Sequence, residues 1–113
     1  MADPSMLPQA LEAFTTAVAR REGEWFRSAI LFGSHARGDA GRDSDVDVAV
    51  VLDGRPGDDL DAVMELSEIA YDVLLDTGVL IQPVPVRQDL WDHPERHSNP
   101  RLLANIRREG RLL

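Results

Sequence analysis

Apolar residues recur along this chain in two alternating periods. In PQALEAFTTAVARREG, Leu11, Phe14, Val18 and Ala19 fall at helical spacing, with Pro8 near the start and Gly23 past the end, so an amphipathic helix is predicted. WFRSAILF then reads as a short strand that Gly33 stops. VDVAVVL, Val46 to Leu52, reads as a second strand, and its unbroken apolar run from Val48 is the pattern of a central strand covered on both faces. After the loop GRPGD, the stretch from Asp58 to Asp76 predicts a helix turning Leu60, Val63, Leu66, Ile69, Ala70 and Leu74 inward, with Gly78 at its end. VLIQPVPV is a third strand. Pro83 and Pro85 lack N–H donors, which puts at least its second half at a sheet edge. NPRLLANIRREGRLL closes as a short helix capped by Asn99, with Pro100 in its first turn and Gly110 at its end. The order helix, strand, strand, helix, strand, helix implies an α/β (α+β) fold, a small mixed sheet of three to four strands with helices packed on one side.

At 113 residues the chain fits one compact domain, residues 1–113, without repeats or linkers. No apolar run approaches the length of a membrane span, and MADPSMLPQALEAF lacks the charged-then-apolar order of a signal peptide, so a cytoplasmic location is expected. Cysteine is absent, which removes disulfides, thiolate metal sites and Cys nucleophiles together. The net charge of -8 argues against bulk nucleic-acid binding, which needs an excess of cations. The charge is also uneven: Asp39 to Asp76 carries twelve acids against two arginines, whereas Arg87 to Leu113 carries six arginines against four acids. An acidic centre suits cation binding or a solvated face, and the basic tail, with Arg107, Arg108 and Arg111, suits an anion, a partner or solvent. All twelve basic residues are Arg. Walker-type phosphate loops and Schiff bases both need Lys, so both are excluded.

The chemistry concentrates in AILFGSHARGDAGRDSDVDVAVVL. Strands disfavour Asp, yet Asp45 and Asp47 sit in a Val-rich strand pattern. A strand alternates faces, so both carboxylates point the same way. At about 5 Å and an effective dielectric near 20 their repulsion is on the order of 3 kcal/mol, a cost that a divalent cation reverses. Mg²⁺ suits such a pair, taking one or two carboxylates plus phosphate oxygens and water. The pair alone is weak evidence, since four acid-x-acid triplets occur: Glu22/Glu24, Asp43/Asp45, Asp45/Asp47 and Asp59/Asp61. Context separates Asp45/Asp47, which opens a buried strand and follows a strand-ending Gly33-Ser34. Gly33 permits a sharp turn and a close backbone approach, leaving the Ser34 N–H and hydroxyl to meet a phosphate. Arg37 lies one helical turn further, within reach of the same anion, and Gly38 is expected to close that turn with a positive φ. Phosphate groups on one side and metal-binding carboxylates on the other describe a nucleoside triphosphate site.

Phe32-Gly33-Ser34, ten residues, then Asp45-Val46-Asp47-Val48 resembles the signature of the DNA polymerase β-type nucleotidyltransferase superfamily. GSHARGDAGRDSDVDV in so short a chain is similar, more narrowly, to the minimal nucleotidyltransferases of bacteria and archaea, MntA-like antitoxins among them. The resemblance implies a nucleotidyltransferase fold and Mg²⁺-dependent transfer of a nucleoside monophosphate, AMP from ATP, to a hydroxyl. It implies that Gly33 and Ser34 bind the β and γ phosphates and that Asp45 and Asp47 are the catalytic ligands of two Mg²⁺ ions. It also implies a partner, a helical HEPN-type toxin that some members silence by adenylylating a tyrosine.

The family's third carboxylate, on a later strand, is missing. Gln82 is the only polar side chain within VLIQPVPV, and it stands at or near that position. Asp72 and Asp76, the nearest acids, belong to the end of the preceding helix. Two readings therefore stand: an active transferase, or a catalytically weakened module that binds nucleotide or a partner. His93 and His97 are four apart, but Pro94 between them disfavours the regular helix that a zinc pair needs. His35 in the loop reads equally as surface or substrate contact, and Ser34 lacks the G-x-S-x-G context of a hydrolase nucleophile. Trp25 and Trp91 read as packing at the core's edge. A core this small suits a homodimer or a heteromer, and the residues do not choose between them.

Overall fold

The computed structural model describes residues 4–41 and 45–113. Asp43 of the Asp43/Asp45 triplet thus lies outside the described residues. The elements run α1 (Leu7–Glu22), β1 (Phe26–Phe32), the single turn α2 (Ser34–Arg37), β2 (Val46–Leu52), α3 (Asp59–Thr77), β3 (Ile81–Arg87), the short α4 (Gln88–Asp92), α5 (Pro100–Glu109) and β4 (Arg111–Leu112). The sheet order is β3-β2-β1-β4. β1 is antiparallel to β2 and β4, and β2 is parallel to β3, so the sheet is mixed as the pattern predicts.

β2 is central and sends alternate residues to two cores. Val46, Val48, Val50 and Leu52 join Phe14 and Val18 of α1 and Leu66, Ile69 and Ala70 of α3 on the first face. Ala49 and Val51 join Ile30, Phe32, Val86, Leu103 and Ile106 on the second. The expected one-sided packing therefore holds for α1 and α3, while α5 lies across the other face. A strand that is apolar on both sides needs two covers, and α5 is the second one. The proline-bearing β3 is an edge strand, as Pro83 and Pro85 require.

Local signals set the helix ends. Asp58 caps α3 by accepting from the Asp61 N–H at 2.9 Å, and Asp61 returns the bond to the Asp58 N–H at 3.1 Å, a reciprocal capping box. Asn99 caps α5 by accepting from the Leu102 N–H at 3.2 Å. The phase of α3 differs from expectation: Ala62 and Val73 are buried, whereas Leu60 is 64% exposed, Val63 faces out and Leu74 is only partly buried. Apolar positions on this helix cover more than one face, so spacing allowed two phases and docking against β2 selected one. β4 has only two residues and carries no periodicity that could announce it. Among the described residues no helix is long and apolar enough to cross a membrane.

One buried charge ties this scaffold together. Glu22, at the end of α1, is 3% exposed, and its carboxylate accepts from Arg55 Nε at 2.7 Å. Arg55, from the loop before α3, also pairs with Glu65 of α3. Removing one partner of a buried pair strands the other charge. Arg55→Met is expected to cost about 3 kcal/mol in urea unfolding. Adding Glu22→Gln in the same chain should recover part of that loss, and a double variant no more stable than Arg55→Met alone would contradict this account.

Candidate active site

β1 delivers its chain end directly against the start of β2. Phe32 is the register partner of Asp47, so Gly33 emerges beside that carboxylate. Gly33 has φ 78° and ψ -156°, and a Cβ placed there would collide with Asp47 Oδ2 and stand 3.3 Å from Asp47 Cγ. Only glycine fits both the backbone angle and the space. The chain then turns once as α2, with the Ala36 and Arg37 N–H groups donating to the Gly33 carbonyl at 3.1 Å. The Ser34 N–H stands ahead of these bonds at the start of the turn. Gly38 closes it with φ 83°, as expected.

On the other side of β2, the register partner of Asp47 is Gln82 of β3. Gln82 Nε2 donates to Asp45 Oδ2 at 3.5 Å. Gly33 just past β1, Asp45 just before β2, Asp47 of β2 and Gln82 of β3 thus form one row. Gln82 occupies the place beside the acids where the third carboxylate is expected. Asp72 and Asp76 belong to α3, which covers the opposite face. Among the described residues no group of three or more His, Asp or Glu is arranged to hold a metal ion. The two carboxylates remain a fitting set for Mg²⁺, whose hard-oxygen preference is met by one or two acids with phosphate and water completing the shell.

Electrostatics bear on the same pair. Burial pushes the Asp47 carboxyl above its ordinary range, the Asp45 charge pushes it further, and His35 and Arg37 act in the opposite direction. Arg37 itself is engaged: its Nε donates to Asp39 at 3.2 Å and its Nη1 to Glu109 of α5 at 3.1 Å. Arg37 thus faces carboxylates in this structure, and serving an anion would require exchanging them. Arg37 in turn holds the Glu109 carboxyl below its usual range. Glu109 is separated from Arg37 by 72 positions, so no local signal announces this contact.

The remaining candidates lie apart from the row. His93 Nδ1 stands 3.5 Å from Glu95, and His97 Nδ1 accepts from the Asn99 N–H at 2.8 Å, with a 3₁₀ turn at Pro94–Arg96 between them. Trp91 packs on the second core with the Arg107 guanidinium 4.2 Å from its ring centroid. A crevice of about 210 Å³ lies at the other end of β2, lined by Leu52, Arg55, Val86 and Gln88 among others, and shares no residue with the row.

A four-stranded mixed sheet with Gly-Ser ending one strand and an acid pair opening its antiparallel neighbour has the layout of a nucleotidyltransferase fold. The profile described as "Nucleotidyltransferase domain" matches residues 11–111, and the chain belongs to that family. A Methanocaldococcus jannaschii protein named "Putative protein adenylyltransferase" is 32% identical over 105 residues, covering 93% of this chain and 95% of that one. A second protein of that organism with the same name is 34% identical over 84 residues, covering 74% of this chain and 57% of its own. Among solved structures, a toxin-antitoxin crystal structure with AMP-PNP has a chain superposing with TM-score 0.60 at 22% identity, over 89% of this chain and 70% of that one. A mutant of the MntA-HpeT toxin-antitoxin gives TM-score 0.58 at 22% identity, over 90% and 70%. A nucleotidyltransferase structure from Sulfolobus solfataricus gives 0.53 at 16%, over 80% and 81%. These three share the fold.

Because Asp47 has a raised carboxyl in the folded state, the native protein binds more protons than the unfolded chain between the two pKa values. Stability of the metal-free protein therefore falls as pH rises through that window, and the loss persists at neutral pH. Asp47→Asn is expected to melt above the wild type at pH 7 in EDTA, with the gap closing at acid pH. A lower melting temperature for the variant at pH 7 would contradict the assignment.

Proposed function

We propose that this chain is an ATP- and Mg²⁺-dependent adenylyltransferase that moves AMP from ATP to a protein hydroxyl, a tyrosine of a HEPN-type partner in an antitoxin role. The observation that carries the reading is the row in which the Asp45 and Asp47 carboxylates share one site, with the Gly33 backbone packed directly against Asp47. Family membership supports the reaction class. The two protein adenylyltransferase relatives support a protein acceptor, and the toxin-antitoxin structures, one with AMP-PNP, support the partner and the nucleotide. The match over residues 11–111 supports residues 1–113 as one nucleotidyltransferase domain.

In this proposal Gly33 and Ser34 bind the β and γ phosphates, the glycine by letting the backbone approach and Ser34 by donating from its N–H and hydroxyl. Asp45 and Asp47 would hold the metal beside the start of β2. Mg²⁺, when bound, neutralises phosphate charge and stabilises both ends of an in-line displacement. The acceptor hydroxyl gives up its proton to solvent and its oxygen bonds to the α phosphorus, as the bond from that phosphorus to the bridging oxygen breaks and pyrophosphate leaves. Arg37 would exchange Glu109 and Asp39 for a phosphate oxygen.

A second reading has its own support. Gln82 offers a neutral amide beside Asp45, which favours a weakened module that binds nucleotide or partner without efficient turnover. Incubation with ATP labelled at the α phosphate, Mg²⁺ and the adjacent-gene protein decides between them. The transferase reading expects label on the partner and a drop on the order of a hundredfold or more with Asp47→Asn. Intact nucleotide binding without label would sink it. Gln82→Glu should raise the transfer rate by about tenfold, equivalent to about 1.4 kcal/mol of barrier. An unchanged rate would show that a third charge is not what limits turnover.

A further inference from the structure

α3 is amphipathic towards its own core and carries a second apolar row on the outside. Leu60, Met64, Tyr71 and Leu75, with Val63 beside them and Ser67 in the middle, run along the outer face for about 22 Å. Met64 is 60% exposed, Tyr71 58% and Leu75 66%. Exposed apolar residues are ordinary when scattered, but a continuous row at spacings of four, three, four and four is a helix-docking seam. Tyrosine is among the residue types that dominate such seams.

The edge of this seam is strongly acidic. α3 carries six acids and no base. Arg21 and Arg55 of other elements pair with Glu65, and Arg21 also pairs with Glu68. Among the described residues no ion pair reaches Asp72 or Asp76. A second copy of this chain would bring the same carboxylates to the seam on a helix that carries no base of its own, and each copy has a net charge of -8. An antiparallel pair of α3 helices would set acid edge against acid edge.

We propose that the outer face of α3 docks an amphipathic helix of a partner protein whose apolar stripe is bordered by Lys or Arg. The surface is distinct from the Asp45/Asp47 row: α3 covers the first face of the sheet, and Asp47 lies among the positions of the second. The inference therefore stands or falls separately from the transfer chemistry.

The test uses two synthetic helical peptides of about 18 residues, five turns, with the same Leu stripe, one edged with Arg and one with Glu. The Arg-edged peptide is expected to bind the intact chain at least about tenfold more tightly, with amide-exchange protection on α3. Met64→Asp and Tyr71→Asp, at exposed positions and checked for folding by circular dichroism, should each weaken it about tenfold or more. Each substitution adds a negative charge, so attraction by charge alone would tighten binding; unchanged or tighter binding overturns the proposal. Sedimentation of the peptide-free chain is expected to show a monomer. A dimer that Tyr71→Asp dissolves would overturn the proposal in favour of a second copy. Mg²⁺-ATP affinity should be unmoved by Tyr71→Asp, and its loss would show that the two sites are not separate.

Discussion

The antiparallel pairing of β1 with β2 brings Phe32 opposite Asp47, and from that register follows the contact between the Gly33 backbone and a carboxylate. The arrangement depends on a strand that is fully apolar beyond Asp47. Val48 to Val51 are each completely buried, so β2 cannot slip by one residue without turning valines to the wrong core and aspartates into it. Asp47 is held in place because the strand carrying it is clamped from both faces, and Asp45 immediately precedes that strand.

The same clamp explains why α5 matters to a site it does not line. Leu103 and Ile106 close the second core over Ala49 and Val51, and Glu109 at the helix end reaches Arg37. The turn after Gly33 is therefore connected to both ends of the chain's packing: through Ala36 to the first core and through Arg37 to α5. Both carboxylates facing Arg37 are partly open to water, so the pairing is a weak hold on the guanidinium and not a structural anchor. An anion with more charge than a single carboxylate has a physical basis for displacing them.

Much of this was legible in the residues. The unbroken run from Val48 announced a central strand, the prolines announced the edge, and Asn99 with Pro100 announced the last helix, because each signal is local. The Gly33-Ser34 and Asp45/Asp47 spacing announced the row, since strand alternation and a hairpin-like return suffice to bring those residues together. Three features were not legible for one common reason, that they are decided by distant partners. The phase of α3 was chosen by docking, which left Leu60 and Val63 outside. The placement of α5 on the second face was chosen by the two-sided need of β2. The engagement of Arg37 was chosen by Glu109, far along the chain. Gln82 is the informative intermediate case: its strand was readable and it is the only polar side chain there, while the parallel pairing of β3 with β2 is what sets it opposite Asp47.

Gln82 also shows how stability and chemistry pull apart at one position. A carboxylate there would face Asp45 and Asp47 together, adding two repulsions that are each on the order of 3 kcal/mol near 5 Å at an effective dielectric of 20. With no cation bound, a site of three acids would press β2 and β3 apart at the point where they must stay paired. The amide instead donates to Asp45 and removes that strain. A neutral residue here also leaves less negative charge for a divalent ion, so under the proposed transferase reading the nucleotide phosphates would supply more of the metal's ligation than the protein does.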